Sequence, residues 1–425
     1  MSELTRDDSV SSVGRTRERW LVWLVAMCFL VYTDDYIIAG LLGDISSSFD
    51  VSPSSVGSLV TVYSVSLAVT APILSVVFRK WSPYVMLLWW SGLFVVANVC
   101  AAVSPWFWAL QASRVLAGAL AGGAVACAFA VVTGKSDPSR MGRNLCLVSL
   151  GIVGSVMVGV PLGSVFSATL GWRSAFVVAG IAAGVVSVGL WVTSPERGRC
   201  DAMTGLTGAD EAGVGMSGVL SLREMAAVVL HPRVSAVIIG YAVFLGASIP
   251  VYTYLEEITA PVVADGGVVM LLFAAGVGGV VGSLLSGKLI DKYGGDLVAV
   301  VSPLLGAVAV VVLWECALGH LGGGVGGCLG GYVGLGVTAG AVFLWGLTAF
   351  AMAPATQWII QRGAGQGTGQ AMAVNVSVTY VAIGVGVALA GWLLRTGGPG
   401  EVASLACLCF PVSAVIFGVR RMVVR

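Results

Sequence analysis

Apolar residues along the chain fall into runs of about twenty, separated by short polar or Gly/Pro-rich breaks, and a helix of that length is what a bilayer crossing requires. Twelve such runs predict twelve spanning helices, over 20–43, 55–78, 83–104, 107–131, 144–168, 174–194, 234–257, 268–290, 297–318, 329–353, 370–394 and 402–419. Two stretches do not fit the pattern cleanly. One is the Gly-rich ninth-to-tenth junction "GHLGGGVGGCLGG"; the other is "PATQWIIQRGAGQGTG", which either extends the tenth helix or forms a short surface helix.

The polar breaks orient these spans. With the N-terminus inside, every Lys and Arg of the 22 lies in an inner segment except Arg114, Arg173 and Arg395. Cytoplasmic loops retain basic residues, so the bias predicts an even number of spans in the inner (plasma) membrane with both termini cytoplasmic. The longest polar insert, 195–233, divides the spans six and six. The expected organisation is an N-terminal six-helix lobe over 1–194, a cytoplasmic linker over 195–233 and a C-terminal six-helix lobe over 234–425. Rich in Gly, Ser and charge, the insert reads as a flexible tether. The predicted fold class is therefore all-α integral membrane, with two pseudo-symmetric six-helix lobes and a substrate site near mid-membrane where they meet.

Composition narrows the function classes. The chain is 57% hydrophobic and 10% charged, with mean hydropathy +0.96, so its partner is the lipid bilayer. A net charge of +1 gives no basic surplus for nucleic acid. Nine cysteines lie mostly in apolar runs without a CxxC pair and read as packing residues. His231 and His320 have no metal-ligand company, so neither a metal nor a cofactor is expected. No GxxxxGK[ST] loop occurs, which argues against ATP as the energy source. The polar first twenty residues precede no signal-type cleavage site, and no cleaved leader is expected.

The segment "GKLIDKYGG", Gly287 to Gly295, resembles the GxxxD(R/K)xG signature of the major facilitator superfamily. Its physics is intelligible: Gly287 allows close helix approach, Asp291 can cap a helix end or meet a cation beside Lys292, and Gly294 turns the chain. The equivalent first-half loop, "SVVFRKWSP", departs from it, with Arg79 where the aspartate would stand, although the basic pair Arg79 and Lys80 survives. "GSVMVGVPLG" is similar to the fifth-helix signature of drug:proton antiporters, which implies a gating and packing role for Gly159, Pro161 and Gly163. "ASRVLAGALAGG" resembles the fourth-helix signature built on an embedded arginine, here Arg114. "YTDDYIIAGLL", "DVSPSSVGSLVTVYSVSLAVTAP", "GWRSAF", "VYTYLEEIT" and "AVNVSVTYVAIGVG" are similar to segments of twelve-helix drug, sugar and nucleoside exporters, the arabinose-efflux-like and chloramphenicol-efflux permeases among them. The resemblance covers nearly the whole chain. It implies a secondary active exporter that exchanges a small amphipathic compound for protons, working as a monomer and without enzymatic activity.

Two adjacent aspartates, Asp34 and Asp35, stand inside the first predicted span, where a charge costs about 2.5 to 3.5 kcal/mol on insertion scales. Asp35 lies about eight residues, or ~12 Å, below the outer end of its helix, and Arg114 lies at a matching depth in the fourth. An Asp35–Arg114 pair is expected, since opposite charges at one depth lower each other's cost. Neighbouring residues on a helix point about 100° apart, so the two aspartates cannot both face one partner: one faces the central cavity and the other a neighbouring helix, with the substrate-facing role assigned to Asp34. The motif acid falls on Asp35, which implies the proton-carrying role. Burial disfavours its charged form and the arginine favours it, so a change in their spacing would load and release a proton. A static pair that only fixes helix packing remains the alternative.

Tyr63, Met157, Tyr241, Tyr252, Tyr254, Phe343, Trp345 and Asn375 are the candidates for the aromatic walls and hydrogen bonds of an amphipathic site. Glu315, Glu256 and Glu257 lie near outer helix ends, where solvated positions are expected. A proton-coupled uptake symporter, a receptor without flux and a membrane enzyme with a metal on Asp34 and Asp35 are the competing readings. "GVPLG" disfavours the first, and the enzyme lacks further carboxylates at helical spacing.

Overall fold

The computed structural model describes residues 19–77, 81–136, 141–193, 232–263, 267–320, 331–364 and 368–424. Among these, twelve helices are long and apolar enough to cross a membrane. They are called spans in chain order: Arg19–Tyr36 with its 3-10 extension Ile37–Gly40, Pro53–Val77, Pro83–Ala102, Phe107–Lys135, Met141–Leu170, Trp172–Val192, Pro232–Thr253, Val268–Tyr293, Gly295–Ala317, Gly331–Ala364, Thr368–Gly397 and Pro399–Val424. Most of the predicted linker, 194–231, together with Arg79, Lys80 and most of the Gly-rich junction, 321–330, lies outside the described residues.

Three boundaries and the interior of one span differ from the hydropathy pattern, each for a local reason. The first span stops as an α-helix at Tyr36 and continues as a 3-10 turn into a separate short helix, Leu42–Phe49. Gly40, where this happens, lies tight against Ser164 of the fifth span. The fifth span contains a π-helical segment, Ser155–Gly159, just before Pro161. Such a bulge accommodates a backbone group displaced by proline and bends the helix. The seventh span ends at Thr253 and is followed past Tyr254 by the short helix Leu255–Thr259. The tenth span absorbs "PATQWIIQR", running through Pro354 to Ala364.

Helix packing repeats with a period of six spans. In the first half the first span packs on the fifth, the second on the fourth, the third on the fourth and the third on the sixth. Six spans later the seventh packs on the eleventh, the eighth on the tenth, the ninth on the tenth and the ninth on the twelfth. The two halves meet along two equivalent seams, the second span against the eleventh and the eighth against the fifth.

With little hydrophobic drive between helices in lipid, such contacts depend on how closely backbones approach. A Cβ at Gly278 or Gly282 of the eighth span would collide with the carbonyl oxygen of Phe343 or Leu347 of the tenth. Gly346 meets Ala275 in the same way. Gly287, expected to provide close approach, faces open space instead, because it stands on the exposed side of the eighth span. Gly294 does turn the chain, with φ +81°.

Candidate functional site

Arg114 and Asp34 form an ion pair inside the first half. The arginine Nη1 donates to Asp34 Oδ1 at 2.8 Å and Nη2 donates to the Asp34 backbone carbonyl at 2.7 Å, with the two side chains 1% and 0% exposed. The two donors of one guanidinium thus fix both the side chain and the main chain of the first span. Tyr63 lies under the guanidinium, its ring centroid 4.6 Å from Cζ, and Phe176 is 5.7 Å away. Tyr63 Oη donates to the Val31 carbonyl at 3.3 Å, so the second span is tied into the same cluster. Asp34 Oδ2 and Arg114 Nε have no hydrogen-bond partner among the described residues.

This corrects the expected pairing. The arginine takes Asp34, not Asp35, because the turn of the helix that places Asp34 toward the fourth span directs its neighbour about 100° away. Asp34 therefore does not face the cavity. Asp35 does: it borders a small space of about 10 Å³ between the halves, beside Tyr36, Val60, Ile249, Tyr252 and Ile383. Its Oδ2 accepts a hydrogen bond of 3.1 Å from Tyr380 Oη on the eleventh span, so the carboxylate of one half is held by a hydroxyl of the other.

Next to that space lies a larger cavity of about 190 Å³. Tyr32 and Tyr36 of the first span, Tyr241 and Tyr252 of the seventh, Trp345 of the tenth and Tyr380 of the eleventh form its aromatic wall. Tyr252 stacks on Trp345 with centroids 5.3 Å apart and an 11° interplanar angle, and Tyr36 meets Tyr252 edge-on at 5.8 Å. Gln357, Ser283, Asn375 and Thr379 complete the polar lining, and the cavity extends along the tenth and eleventh spans toward the end that carries both termini.

The opposite end is closed. A Cβ at Gly276 of the eighth span would collide with the Met157 backbone in the π segment of the fifth. Tyr254 packs its hydroxyl against Gly57 and Gly391. Glu256, expected to be solvated, is half-buried and accepts the Gly43 N–H at 3.4 Å, because the short helix after Tyr254 folds it over the first half. Burial raises the pKa of the adjacent Glu257 carboxyl.

Of the expected wall residues, Tyr241, Tyr252, Trp345 and Asn375 line the cavity. Tyr63, Met157, Tyr254 and Phe343 do not: Tyr63 serves the Arg114 cluster, Met157 and Tyr254 seal contacts between the halves, and Phe343 provides the carbonyl that meets Gly278. Tyr32, Tyr36 and Tyr380 were missed. Tyr32 and Tyr36 carried a readable signal, since residues four apart share a helix face and these two stack at 6.3 Å.

Among the gating candidates, Gly159 and Gly163 abut Thr33 and Ile37, pressing the fifth span onto the helix of the aspartates, and Pro161 is buried at the start of the following helical segment. Asp291 is exposed and has no hydrogen bond or ion pair to a described residue, while Lys292 lies 5.0 Å from the Tyr293 ring. At this end of the second half Asp296 forms an ion pair with Arg420 of the twelfth span. Glu315 pairs with His320 at 2.7 Å on the exposed surface. No group of three or more His, Cys, Asp or Glu residues close enough to hold a metal ion occurs among the described residues.

Comparison with known proteins places this geometry. The family model of the Major Facilitator Superfamily matches residues 24–387. The chain is 28% identical over 289 residues to a chloramphenicol resistance protein of Streptomyces lividans, covering 66% of this chain and 69% of that one. It is 26% identical over 354 residues to the inner membrane transport protein YdhP of Escherichia coli K12, covering 81% of each. The solved structure of a D-xylose–proton symporter superposes with a TM-score of 0.69 at 16% identity, over 94% of this chain and 96% of the other, and shares the fold.

Proposed function

The chain belongs to the major facilitator superfamily and is a multi-pass membrane transporter of small molecules, and from that premise we propose that it is a proton-driven exporter of a small amphipathic compound. In this reading it lies in the plasma membrane with both termini cytoplasmic, so the cavity faces the cytoplasm and the outer end is shut. The lobes rock about the cavity and expose it to each side in turn.

The observation that carries the reading is the isolation of Asp35. Asp34 is neutralised by Arg114, whereas Asp35 is buried and, among the described residues, is hydrogen-bonded by the neutral Tyr380 hydroxyl, across the seam that must open. Ionised, Asp35 accepts that bond and ties the halves together; protonated, it is a neutral group in a dry interface and the tie loosens. Proton arrival from outside and departure inside would then alternate with substrate leaving and entering the adjoining cavity. The export direction is supported by the "GVPLG" resemblance and by the resistance phenotype in the name of one relative.

The test is transport by purified protein in liposomes. An imposed pH gradient should drive substrate against the direction of proton flow. Movement of both in the same direction would overturn export in favour of uptake, and flux indifferent to the gradient would remove the coupling altogether.

A further inference from the structure

We infer that the Glu256 carboxylate is a latch for the end opposite the termini, and that it closes this end by capping, from the second half, a helix of the first. The inference rests on the alternating-access reading above and adds a gating contact to it.

The capped helix is Leu42–Phe49, which has no cap of its own. The residue before its first turn is Leu41, whose side chain has no polar atom to offer the free N–H groups there. Gly43 stands in that turn, and its N–H donates to Glu256 Oε2 at 3.4 Å. A carboxylate suits this place, because the peptide dipoles present positive charge at a helix N-terminus. Glycine seats it closely: a Cβ at position 43 would lie 2.9 Å from Glu256 Oε1. The bond is longer than the usual range of about 2.7 to 3.2 Å. It is a weak hold, one that each cycle can break.

Each partner is fixed in its own half. Phe49, at the far end of the capped helix, packs on Phe107 and Trp172 with ring centroids 6.2 and 5.5 Å apart, and Ser167 of the fifth span donates to Asp44 Oδ2. On the other side, the short helix that carries Glu256 buries Leu255, Ile258 and Thr259 and packs on the ninth and twelfth spans. A movement that parts the halves at this end therefore cannot carry both partners along, and the bond must break. The capped helix also continues the first span. Gly43 follows Asp35 by eight residues, through the buried 3-10 turn Ile37–Gly40. Release of Asp35 from Tyr380 and release of Gly43 from Glu256 thus free one and the same segment.

The experiment is hydrogen–deuterium exchange of the full-length protein in lipid nanodiscs, which needs neither substrate nor gradient. Glu256→Ala removes the cap. Gly43→Ala pushes the flexible carboxylate aside while favouring helix at its own position. In both variants exchange over residues 37–50 should rise about fivefold, the change that loss of a helix cap brings to an equilibrium. Over Ala353 to Gln357, which line the cavity of the tenth span, exchange should fall, because a transporter that opens at one end closes at the other. Gly43→Cys with Glu256→Cys, bridged by a short bifunctional thiol reagent, should slow exchange over 37–50 below that of the unaltered protein, and reduction should reverse the change. Each single replacement treated with the reagent controls for the native cysteines.

Faster exchange confined to 42–49 and 255–259, with the tenth span unchanged, would show a local packing contact and overturn the latch. So would unchanged exchange in Gly43→Ala, whose added helix propensity keeps the fold, or a bridged protein that exchanges as freely as before. Flux indifferent to a pH gradient in liposomes would refute proton coupling and leave the latch standing. A local effect alone would refute the latch and leave the exporter reading standing.

Discussion

The first and fourth spans of one half and the seventh and tenth of the other stand in equivalent places, six spans apart, yet they are joined by different chemistry. In the first half the link is the buried ion pair Asp34–Arg114; in the second it is the ring stack Tyr252–Trp345. The ion pair is sealed from the cavity, and the stack forms its wall. One copy of the helix plan keeps its charges near mid-membrane, and the other presents neutral aromatic and amide groups. The division leaves Asp35 as an ionisable group on the seam beside the cavity, touching both halves through Tyr380.

The largest expected effect comes from breaking the ion pair. Asp34→Asn leaves a buried guanidinium without its counter-charge, a change that costs about 3 to 5 kcal/mol when one partner of a buried pair is removed. Asp34→Asn should therefore lower the yield of monodisperse protein and its thermal unfolding temperature. The double replacement Asp34→Leu with Arg114→Met should recover much of that stability, since apolar residues of similar volume often replace a buried pair at little cost. A stable Asp34→Asn protein would show that the pair does not hold the first half together.

Next in size is Asp35→Asn, which keeps volume and removes titration. The fold should survive, because no arginine loses its partner, and substrate should still bind. Transport driven by a pH step in liposomes should disappear. Undiminished proton-driven flux in that variant would move the coupling group elsewhere and erase the distinction between the two aspartates.

The second half should respond to packing changes more than to charge changes. Gly282→Val forces a side chain into the Leu347 carbonyl and should cost about 1 to 3 kcal/mol, as overpacking does. Gly287→Val, one and a half turns further along the same helix, meets open space and should leave the unfolding temperature unchanged. Equal sensitivity at both positions would mean that the eighth and tenth spans do not depend on close backbone approach.

Tyr380→Phe tests the link between the halves more gently. It removes the hydroxyl from Asp35 and keeps the ring in the cavity wall. A hydrogen bond to a charged group contributes about 1.5 to 3 kcal/mol, so without it the seam should open about tenfold or more faster, while coupling to protons stays measurable. An unchanged rate would show that this bond does not bear on the rate-limiting opening of the seam.

The twelve spans were legible because each run of apolar residues must satisfy its own backbone within the bilayer, which leaves the helix as the available form. Helix rotation was not legible. Whether Asp34 or Asp35 meets Arg114 depends on a turn of about 100°, and depth alone, which hydropathy does provide, is nearly the same for both. The same limit explains Phe343 and Tyr63, which are aromatic and at useful depth yet point into packing. Tyr380 could not be tied to Asp35 from sequence because they are 345 positions apart and meet across the packing of the two halves. The π segment at Ser155–Gly159 was hidden for another reason: Pro161 signals a bend without specifying how the helix absorbs it.

The smallest expected effect concerns two carboxylates five residues apart at the terminus-bearing end of the second half. Asp291 carries the family signature, is exposed and pairs with no described residue; Asp296 pairs with Arg420, which is only 8% exposed. Exposed substitutions away from specific contacts usually change stability by no more than about 0.5 kcal/mol. Asp291→Asn should fall in that range, whereas Asp296→Asn should cost about 1 kcal/mol, because its partner keeps a charge that is poorly hydrated. Thermal unfolding of both variants in the same lipid measures the difference. Transport rates then separate structure from gating. If Asp291→Asn slows turnover with stability intact, its carboxylate acts in a state of the cycle other than this one, with the terminus-bearing end closed. If neither stability nor rate changes, the signature aspartate has no gating duty in this chain.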